Sequence, residues 1–404
     1  MTPELERTHV LGVYLHDRLA GTLTRLAGDQ HLFSFEQHYV DDPGRATLSL
    51  GFKASSGGLV TRARPTLRRL PPFFANLLPE GHLRTYLAAK AGVHLEREFS
   101  LMAVLGADLS GAVVIRPMDS VKPAAQPPRP GAIRFSLAGT HLKFPAILEA
   151  AGGLTIPAQG IGGNWIVKLP STQCPSVPEN EFVMLELARA IGIQVPPLRL
   201  LPVAEIGGLP ADFARLPGQA LAVQRFDRTA NGRRIHMEDF AQVFGQLPED
   251  KHKGRSYANI AAVLRAETAG DATGDFLRRI VFSVLIGNGD MHLKNWALLY
   301  PDGRVPTLAP AYDYVSTLPY LREDQLALSF GGSRALHEIT LDQVRRFADR
   351  AGLPMAPAWD TVRTTAELTA RAWKDLPQKD LLPPELRLTI GAQIRRVAAS
   401  IAAA

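Results

Sequence analysis

The chain has 404 residues, of which 46% are apolar and 21% are charged, a composition typical of globular proteins and not of disordered ones. Its apolar runs are much shorter than the roughly 20 residues that a membrane-spanning helix requires. The formal charge of +6 permits binding to nucleic acid or to acidic partners, but the basic residues are dispersed and favour a solvated surface.

The N-terminus and the cysteine content indicate a compartment. Residues 1–7 carry charges where a secretory signal would be apolar, and Cys174 is the single cysteine. A lone cysteine forms neither an internal disulfide nor a cysteine-based zinc site. We therefore expect a cytoplasmic protein with no membrane partner.

The first part of the chain predicts a small sheet followed by helices. Between residues 10 and 50, short apolar runs are broken by turn residues, a pattern typical of strands. Residues 67–91 predict one helix and residues 111–116 predict a strand. A proline-rich stretch at 121–130 then predicts a linker, which sets the first domain at 1–120.

The remainder divides into a mixed lobe and a helical lobe. Strands are expected at 133–137, 165–169, 198–203 and 221–226, with a helix at 179–191. Beyond residue 227 the periodicity is mostly helical, and it ends in an amphipathic helix at 385–404. We therefore predict an α+β fold with the divisions 1–120, 121–223 and 224–404.

A polar loop that directly follows an apolar helix carries the strongest chemical signal. Residues 276–286 predict a buried helix that runs into this loop, where Asn295 follows Asp290 by five positions. The same spacing separates the catalytic Asp from the magnesium-binding Asn in protein kinases. Asp290 could thus accept a hydroxyl proton, Lys294 could offset phosphate charge, and Asn295 could bind Mg²⁺.

A second carboxylate follows at the kinase-like distance. Residues 296–300 and 305–308 predict a hairpin around the turn at 301–303, and Asp313 comes shortly after it. Protein kinases have their principal metal-binding Asp at this place. Taken singly, Asp290 fits a turn, Asn295 a surface amide and Asp313 a helix cap, but their order as a set favours a phosphotransferase.

Lys168 lies inside a predicted strand, where a lysine is unusual. In the strand, Trp165, Val167 and Leu169 alternate with Ile166 and Lys168. The lysine either extends to solvent or grips ATP phosphates, as the strand lysine of kinases does.

The helix after this strand offers a carboxylate partner for the lysine. Glu181 is the candidate, while Glu179 and Glu186 compete for the role or face solvent.

These segments, in their order, resemble the HipA family of bacterial serine/threonine kinase toxins. The resemblance covers 133–143, 165–170, 180–181, 224–228, 289–295 and 310–313, and it extends to 74–81 and 105–113 near the N-terminus. It implies a protein-kinase-like two-lobed fold with an extra N-terminal β-rich subdomain and a mostly helical C-terminal lobe. It also implies ATP and Mg²⁺ as cofactors.

The resemblance assigns roles to individual residues. Asp290 is the implied catalytic base, Asn295 and Asp313 are the implied metal ligands, and Ser136 is the implied autophosphorylation site. The implied ATP-binding residues are Ala138, Gly139, Thr140, His141, Leu142, Lys143, Lys168, Gln224, Arg225, Phe226, His292, Leu293, Lys294, Asn295, Tyr312 and Asp313. The family often has Gln and an acidic residue where this chain has His141 and Leu142.

The resemblance also implies partners: a protein substrate, such as an aminoacyl-tRNA synthetase, and a HipB-like helix-turn-helix antitoxin that makes most of the DNA contact. Two other functions stay open. One is a small-molecule or lipid kinase, and the other is a non-catalytic co-repressor. The scattered His236, His252 and His292 show no zinc-site spacing.

Overall fold

A computed structural model describes residues 8–62, 64–118, 143–149, 153–157, 162–171, 173–268, 272–321 and 323–404. Several expectations lie outside the described residues: the linker at 121–130, the strand at 133–137, the phosphate-loop residues Ala138, Gly139, Thr140, His141 and Leu142, and the modification site Ser136. Within the described ranges, no helix is both long and apolar enough to span a bilayer.

The N-terminal part is an antiparallel sheet with helices packed on it. In the described residues its strand order is β4-β3-β2-β1-β5. The strands are β1 (Val10–Leu15), β2 (Arg18–Leu26), β3 (Gln30–Phe35), β4 (Thr66–Leu67) and β5 (Val113–Pro117). The helices are α1 (Gln37–Asp41), α2 (Pro72–Ala75), α3 (Gly81–Ala91) and α4 (Glu98–Leu105).

The prediction of a single helix over residues 67–91 is wrong. Thr66–Leu67 pairs as an edge strand, and the rest forms α2 and α3 with an irregular segment between them. Pro79 explains the break, because proline lacks an amide hydrogen and disfavours helical geometry in the residue before it. Residues 76–80, which we call the broken segment, leave backbone carbonyls available that a continuous helix would have used internally.

The middle part is a second sheet with one long helix on it. Its order in the described residues is β10-β7-β6-β8-β11-β9, and Lys143 on β6 stands opposite Lys168 on β8. The strands are β6 (Lys143–Leu148), β7 (Leu154–Thr155), β8 (Trp165–Lys168), β9 (Leu198–Pro202), β10 (Ile206–Gly207) and β11 (Gln219–Gln224). Helix α5 (Val177–Ala190) packs against β9 and β11.

The C-terminal part is mostly helical, as predicted, around a small described sheet of order β12-β13-β14. The strands are β12 (His236–Asp239), β13 (Ala297–Tyr300) and β14 (Thr307–Leu308). The helices are α6 (Phe240–Val243), α7 (Tyr257–Glu267), α8 (Ala272–Ile286), α9 (Leu341–Ala351), α10 (Met355–Asp375) and α11 (Pro384–Ala402). The predicted buried helix before the polar loop and the predicted hairpin are both confirmed, as α8 and as β13 with β14.

Two apolar cores hold these elements together. One lies in the C-terminal part and includes Val183 and Leu187 of helix α5. The other is shared by the first two sheets, since Leu11 of β1 belongs to the same cluster as Phe144 of β6 and Val167 of β8. The first sheet is therefore packed into the middle part and does not form an isolated core.

Candidate active site

A cleft of about 920 Å³ lies where the second sheet faces the helical part. Most of the residues singled out from the sequence line it: Lys143, Lys168, Gln224, Arg225, Phe226, Asp290, His292, Lys294, Asn295, Tyr312 and Asp313. Leu293 differs, because its fully buried side chain belongs to the apolar core of the C-terminal part. The cleft is also lined by residues that were not predicted, among them Glu80 and Asp239.

Lys168 holds two carboxylates at the back of the cleft. Its ammonium contacts Glu181 of helix α5 and Asp313 after the hairpin, and we call these three residues the cleft cluster. Glu181 is thus the partner, while Glu186 pairs with Arg189 on the same helix. Burial alone would lower the pKa of Lys168, but the Asp313 and Glu181 carboxylates raise it above its ordinary value. The lysine is therefore a cation at neutral pH.

Lys143 brings a second cation to the same place. It is buried opposite Lys168 on the neighbouring strand, where cross-strand side chains lie close together. Burial lowers its pKa and the charge of Lys168 adds to this effect, while Asp313 opposes it. Two adjacent lysines at the wall of a cleft are suited to binding a polyanion.

The polar loop is fixed by hydrogen bonds to its own backbone. Helix α8 ends at Ile286, and the next residue, Gly287, has a positive φ of 68° that suits glycine and turns the chain into the loop. The Asp290 carbonyl accepts hydrogen bonds from the Asn295 side-chain amide at 2.7 Å and the His292 backbone amide at 2.8 Å. These bonds hold Asp290 and Asn295 on one side of the cleft.

The Asp290 carboxylate projects into the cleft. Burial by the surrounding walls raises its pKa to about 6, while Lys251 opposes the shift and Asp313 adds to it. The side chain nevertheless keeps 59% of its surface exposed, so water in the open cleft screens much of this effect. A carboxylate poised in this way can accept a proton near neutral pH.

His292 lies beside Asp290, with Nε2 at 3.9 Å from Oδ1. Its ring also meets His252, and the ligand atoms of His252, Asp290 and His292 lie within 4.8 Å of one another. Sequence spacing gave no sign of this grouping, because the two histidines are far apart in the chain. Burial and the charge of Lys251 lower the pKa of His292, and positive charge against both rings disfavours a bound cation.

Helix α5 also fixes the segment after Asp313. The buried Asn180 donates to the Ser316 carbonyl at 2.9 Å and accepts from the Ser316 amide at 3.0 Å. Asp313 itself has a positive φ of 54°, which is uncommon for a residue with a side chain. One helix thus holds Lys168 through Glu181 and the Asp313 segment through Asn180.

Tyr312 connects the Asp313 segment to the polar loop and to the second sheet. Its hydroxyl donates to the Lys294 carbonyl at 2.9 Å, and its ring packs against Phe226 with centroids 5.6 Å apart.

Two of the implied ATP-binding residues, Gln224 at the end of β11 and Arg225 after it, already use their backbone amides. Gln224 N–H donates to the Pro197 carbonyl and Arg225 N–H donates to the Asn164 carbonyl. These two amides are therefore committed within the protein, while Phe226 lines the cleft.

The Arg225 side chain takes part in a buried set of ion pairs. Arg225 binds Asp227 through Nε at 2.9 Å and through a second nitrogen at 2.8 Å. Arg228 binds the same carboxylate at 2.8 Å and reaches Asp108 of the N-terminal part at 3.1 Å. We call Asp108, Arg225, Asp227 and Arg228 the arginine latch, and sequence reasoning did not foresee it.

Glu80 is another residue that sequence reasoning missed. It lies in the broken segment between α2 and α3, and its oxygens are 2.7 Å from the Lys294 ammonium and 2.9 Å from the Lys251 ammonium. The proline that breaks the helix was visible in the sequence, but nothing there linked it to the polar loop.

Comparison with known proteins identifies the family. Residues 135–373 match the model described as the HipA-like C-terminal domain, and residues 11–116 match the HipA N-terminal domain. The chain belongs to the HipA family. The resemblance inferred from its motifs is therefore confirmed, and both parts of the family's architecture are present in it.

Relatives of this HipA-family chain carry kinase names. A Sinorhizobium fredii protein named "Putative kinase Y4dM" is 48% identical over 92% of this chain and 94% of its own length. The serine/threonine-protein kinase toxin HipA of Shewanella oneidensis is 27% identical over 86% of this chain and 84% of its own length.

A solved structure supports the fold. It holds HipA of Shewanella oneidensis with HipB and operator DNA, and it matches with a TM-score of 0.74 at 23% identity, over 97% of this chain and 98% of that one. The predicted kinase-like two-lobed fold is confirmed.

Proposed function

We propose that this HipA-family chain is an ATP- and Mg²⁺-dependent serine/threonine protein kinase that acts as a toxin. The observation that carries the proposal is the cleft cluster. In protein kinases an ion pair between the strand lysine and a helix glutamate, together with a metal-binding Asp, marks the working site. Lys168, Glu181 and Asp313 stand in these relations here.

The proposed reaction uses Asp290 as the base. A substrate serine hydroxyl attacks the γ-phosphorus of ATP while the bond from that phosphorus to the β–γ bridging oxygen breaks, and ADP leaves. Asp290 accepts the proton of the hydroxyl. Lys143 and Lys168 line the same cleft and offset the charge of the phosphates.

The residues present suit a magnesium ion. Asp313 offers a carboxylate, and because the Asn295 amide nitrogen is committed to the Asp290 carbonyl, its oxygen is the atom left to act as a ligand. Oxygen donors of this kind are those that Mg²⁺ prefers. When bound, the ion would neutralise phosphate charge.

We further propose that Ser136 is an autophosphorylation site. A phosphate there adds nearly two negative charges beside the place where ATP phosphates must bind, so it would compete for Lys143 and Lys168. The modified protein should be inactive, and one molecule should phosphorylate Ser136 of another. Ser136→Ala should remove this self-inactivation. Mass spectrometry after incubation with Mg·ATP tests whether Ser136 carries phosphate. Full activity with stoichiometric phosphate on Ser136 would contradict the mechanism.

The proposal extends to partners and organisation. The similar Shewanella structure holds HipB and operator DNA, which supports a HipB-like antitoxin for this chain and DNA contact mainly through it. A cytoplasmic location and an aminoacyl-tRNA synthetase substrate are proposed from the family resemblance. We also propose the functional divisions 1–120, 121–223 and 224–404.

The test is transfer of labelled γ-phosphate to serine, followed by phosphoproteomics after brief expression of the parent and of Asp290→Asn. We expect serine phosphopeptides that are present with the parent and absent with the variant. Label confined to lipids or small molecules would indicate the other kinase class. Antitoxin binding without any transfer would indicate a non-catalytic co-repressor.

A further inference from the structure

We propose that Glu80 is a positioning residue through which the N-terminal part of the chain holds the polar loop, residues 287–295, in the geometry that phosphotransfer needs. The inference rests on the proposed kinase function. It assigns the N-terminal part a direct role in phosphotransfer, in addition to any role in binding partners.

Lys294 of the polar loop is held by two acceptors from the N-terminal part. Its side chain keeps only 3% of its surface exposed, and its ammonium lies 2.7 Å from a Glu80 oxygen and 3.0 Å from the Asn76 carbonyl. Both acceptors belong to the broken segment between α2 and α3. A buried ammonium requires such partners, because an unpaired buried charge is strongly destabilising.

Glu80 binds a second lysine that is also tied to the loop. Its other oxygen is 2.9 Å from the Lys251 ammonium, and the Lys251 carbonyl accepts the Leu293 amide at 3.2 Å. Burial opposes the ionisation of Glu80, but Lys294 and Lys251 hold its pKa down to about 2. Glu80 is therefore an anion that pairs with Lys294 inside the polar loop and with Lys251, whose backbone is hydrogen-bonded to that loop.

The broken segment and the adjoining helix α2 are hydrogen-bonded to the C-terminal part. The Asn76 amide donates to the Gln246 carbonyl at 2.7 Å, and the Gln242 amide donates to the Phe73 carbonyl at 3.0 Å. Both Asn76 and Gln242 are buried. Glu80 thus has a fixed base from which to orient Lys294, the residue next to the proposed ligand Asn295.

A matched pair elsewhere in the same interface supplies the control. Arg69 of the N-terminal part binds Glu249 of the C-terminal part through two hydrogen bonds, at 2.7 and 2.9 Å. The side chains of Arg69 and Glu249 keep 36% and 47% of their surface exposed, and Glu249 does not line the cleft. Glu249→Gln therefore removes one carboxylate charge from an ion pair between the same two parts, away from the loop.

The experiment compares Glu80→Gln, Glu80→Asp and Glu249→Gln in the full-length chain. For Glu80→Gln we expect kcat to fall about ten- to a hundredfold, as small misplacements of reacting groups do, with KM for ATP changing less than about threefold. Glu80→Asp should recover part of the kcat, and Glu249→Gln should match the parent.

Hydrogen exchange gives a readout that does not depend on activity. Backbone amides of residues 287–295 should exchange faster in Glu80→Gln than in Glu249→Gln, while those of helix α10 should not differ. Unchanged kcat and unchanged loop exchange in Glu80→Gln would overturn the inference. Inactivity of the parent with faster loop exchange in Glu80→Gln would instead place the failure in the proposed function.

Discussion

The arginine latch and the cleft cluster join parts of the chain by buried ion pairs, but they differ in the cation they use. In the latch, two arginines surround Asp227 with short, partly bidentate hydrogen bonds, and all four side chains keep at most 6% of their surface exposed. In the cleft cluster, a single lysine serves two carboxylates, and Asp313 keeps 27% of its surface exposed.

The difference separates a structural from a functional use of charge. The planar guanidinium fixes the geometry of its partners, whereas a lysine ammonium on a flexible stem can change partners. The latch side chains are almost fully buried, so the latch suits permanent attachment of the N-terminal part to the second sheet. The cleft cluster opens onto the cavity, so its lysine can exchange a carboxylate for phosphate oxygens.

Removing the exposed carboxylate of the cleft cluster should have the largest effect. We expect Asp313→Asn to lower phosphotransfer at least about a thousandfold and to weaken Mg·ATP binding, because a hard cation loses its anionic oxygen ligand. The melting temperature should stay near that of the parent. Calorimetry with Mg·ATP checks the affinity, and activity within tenfold of the parent would contradict the role.

Removing the carboxylate of the latch should act on stability instead. Asp227→Asn removes the carboxylate that Arg225 and Arg228 share and leaves Asp108 as the one anion of the latch, so the free energy of unfolding should fall by about 3–5 kcal/mol. The kcat of the fraction that stays folded should change little. Chemical denaturation measures the first quantity and active-site-normalised assays measure the second. A stable variant that has lost its turnover would reverse the assignment.

The lysine of the cleft cluster should show an intermediate effect. We expect Lys168→Ala to lower turnover about a hundredfold, since a cation in a partly closed site meets phosphate charge with little screening. Arg345, whose side chain is 56% exposed, is the control. Equal turnover in Lys168→Ala and Arg345→Ala would show that Lys168 has only a structural place in its strand.

Glu238 is a third kind of buried carboxyl, because its described partners include no cation. It accepts hydrogen bonds from Ser49 Oγ and the Leu50 amide of the N-terminal part, and from Tyr300 Oη of β13. Burial raises its pKa to about 7, whereas at Asp227 the latch arginines outweigh burial and hold the pKa far below its usual range. The folded protein therefore binds the Glu238 proton more tightly than the unfolded chain does.

The contribution of protonated Glu238 to stability is complete below pH 4.5 and is lost as the pH rises towards 7. Glu238→Gln keeps the shape of the neutral carboxyl. Its free energy of unfolding relative to that of the parent should therefore rise by about 1–2 kcal/mol from pH 5 to pH 8. Urea denaturation at both pH values measures this change. Glu267→Gln, in an exposed pair with Lys53, is the control and should show no such trend.

Local patterns in the sequence predicted the parts of the site that follow one another along the chain. The helix before Asp290, the hairpin before Asp313 and the strand position of Lys168 all depend on periodicity and turn residues, which act over a few residues. The choice of Glu181 over Glu186 required the structure, since both fit the helix pattern.

Contacts between distant segments could not be predicted in this way. Glu80 meets Lys294 across more than 200 positions, and Asp108 meets Arg228 across 120. No periodicity encodes such a pairing. Pro79 explains the break in the predicted helix, but only the packed structure shows that the freed Asn76 carbonyl is used by Lys294.

The core shared by the first two sheets has a consequence for synthesis on the ribosome. Leu11 and Val13 of β1 emerge early, yet Ala220 and Ala222 of β11, which belong to the same apolar cluster, are added much later. Until then the shared apolar cluster is incomplete, and its uncovered part is a target for chaperones and for aggregation. A chain terminated by a nonsense codon between residues 118 and 219 would keep the cluster incomplete, and it should be degraded and not accumulate as a separate domain.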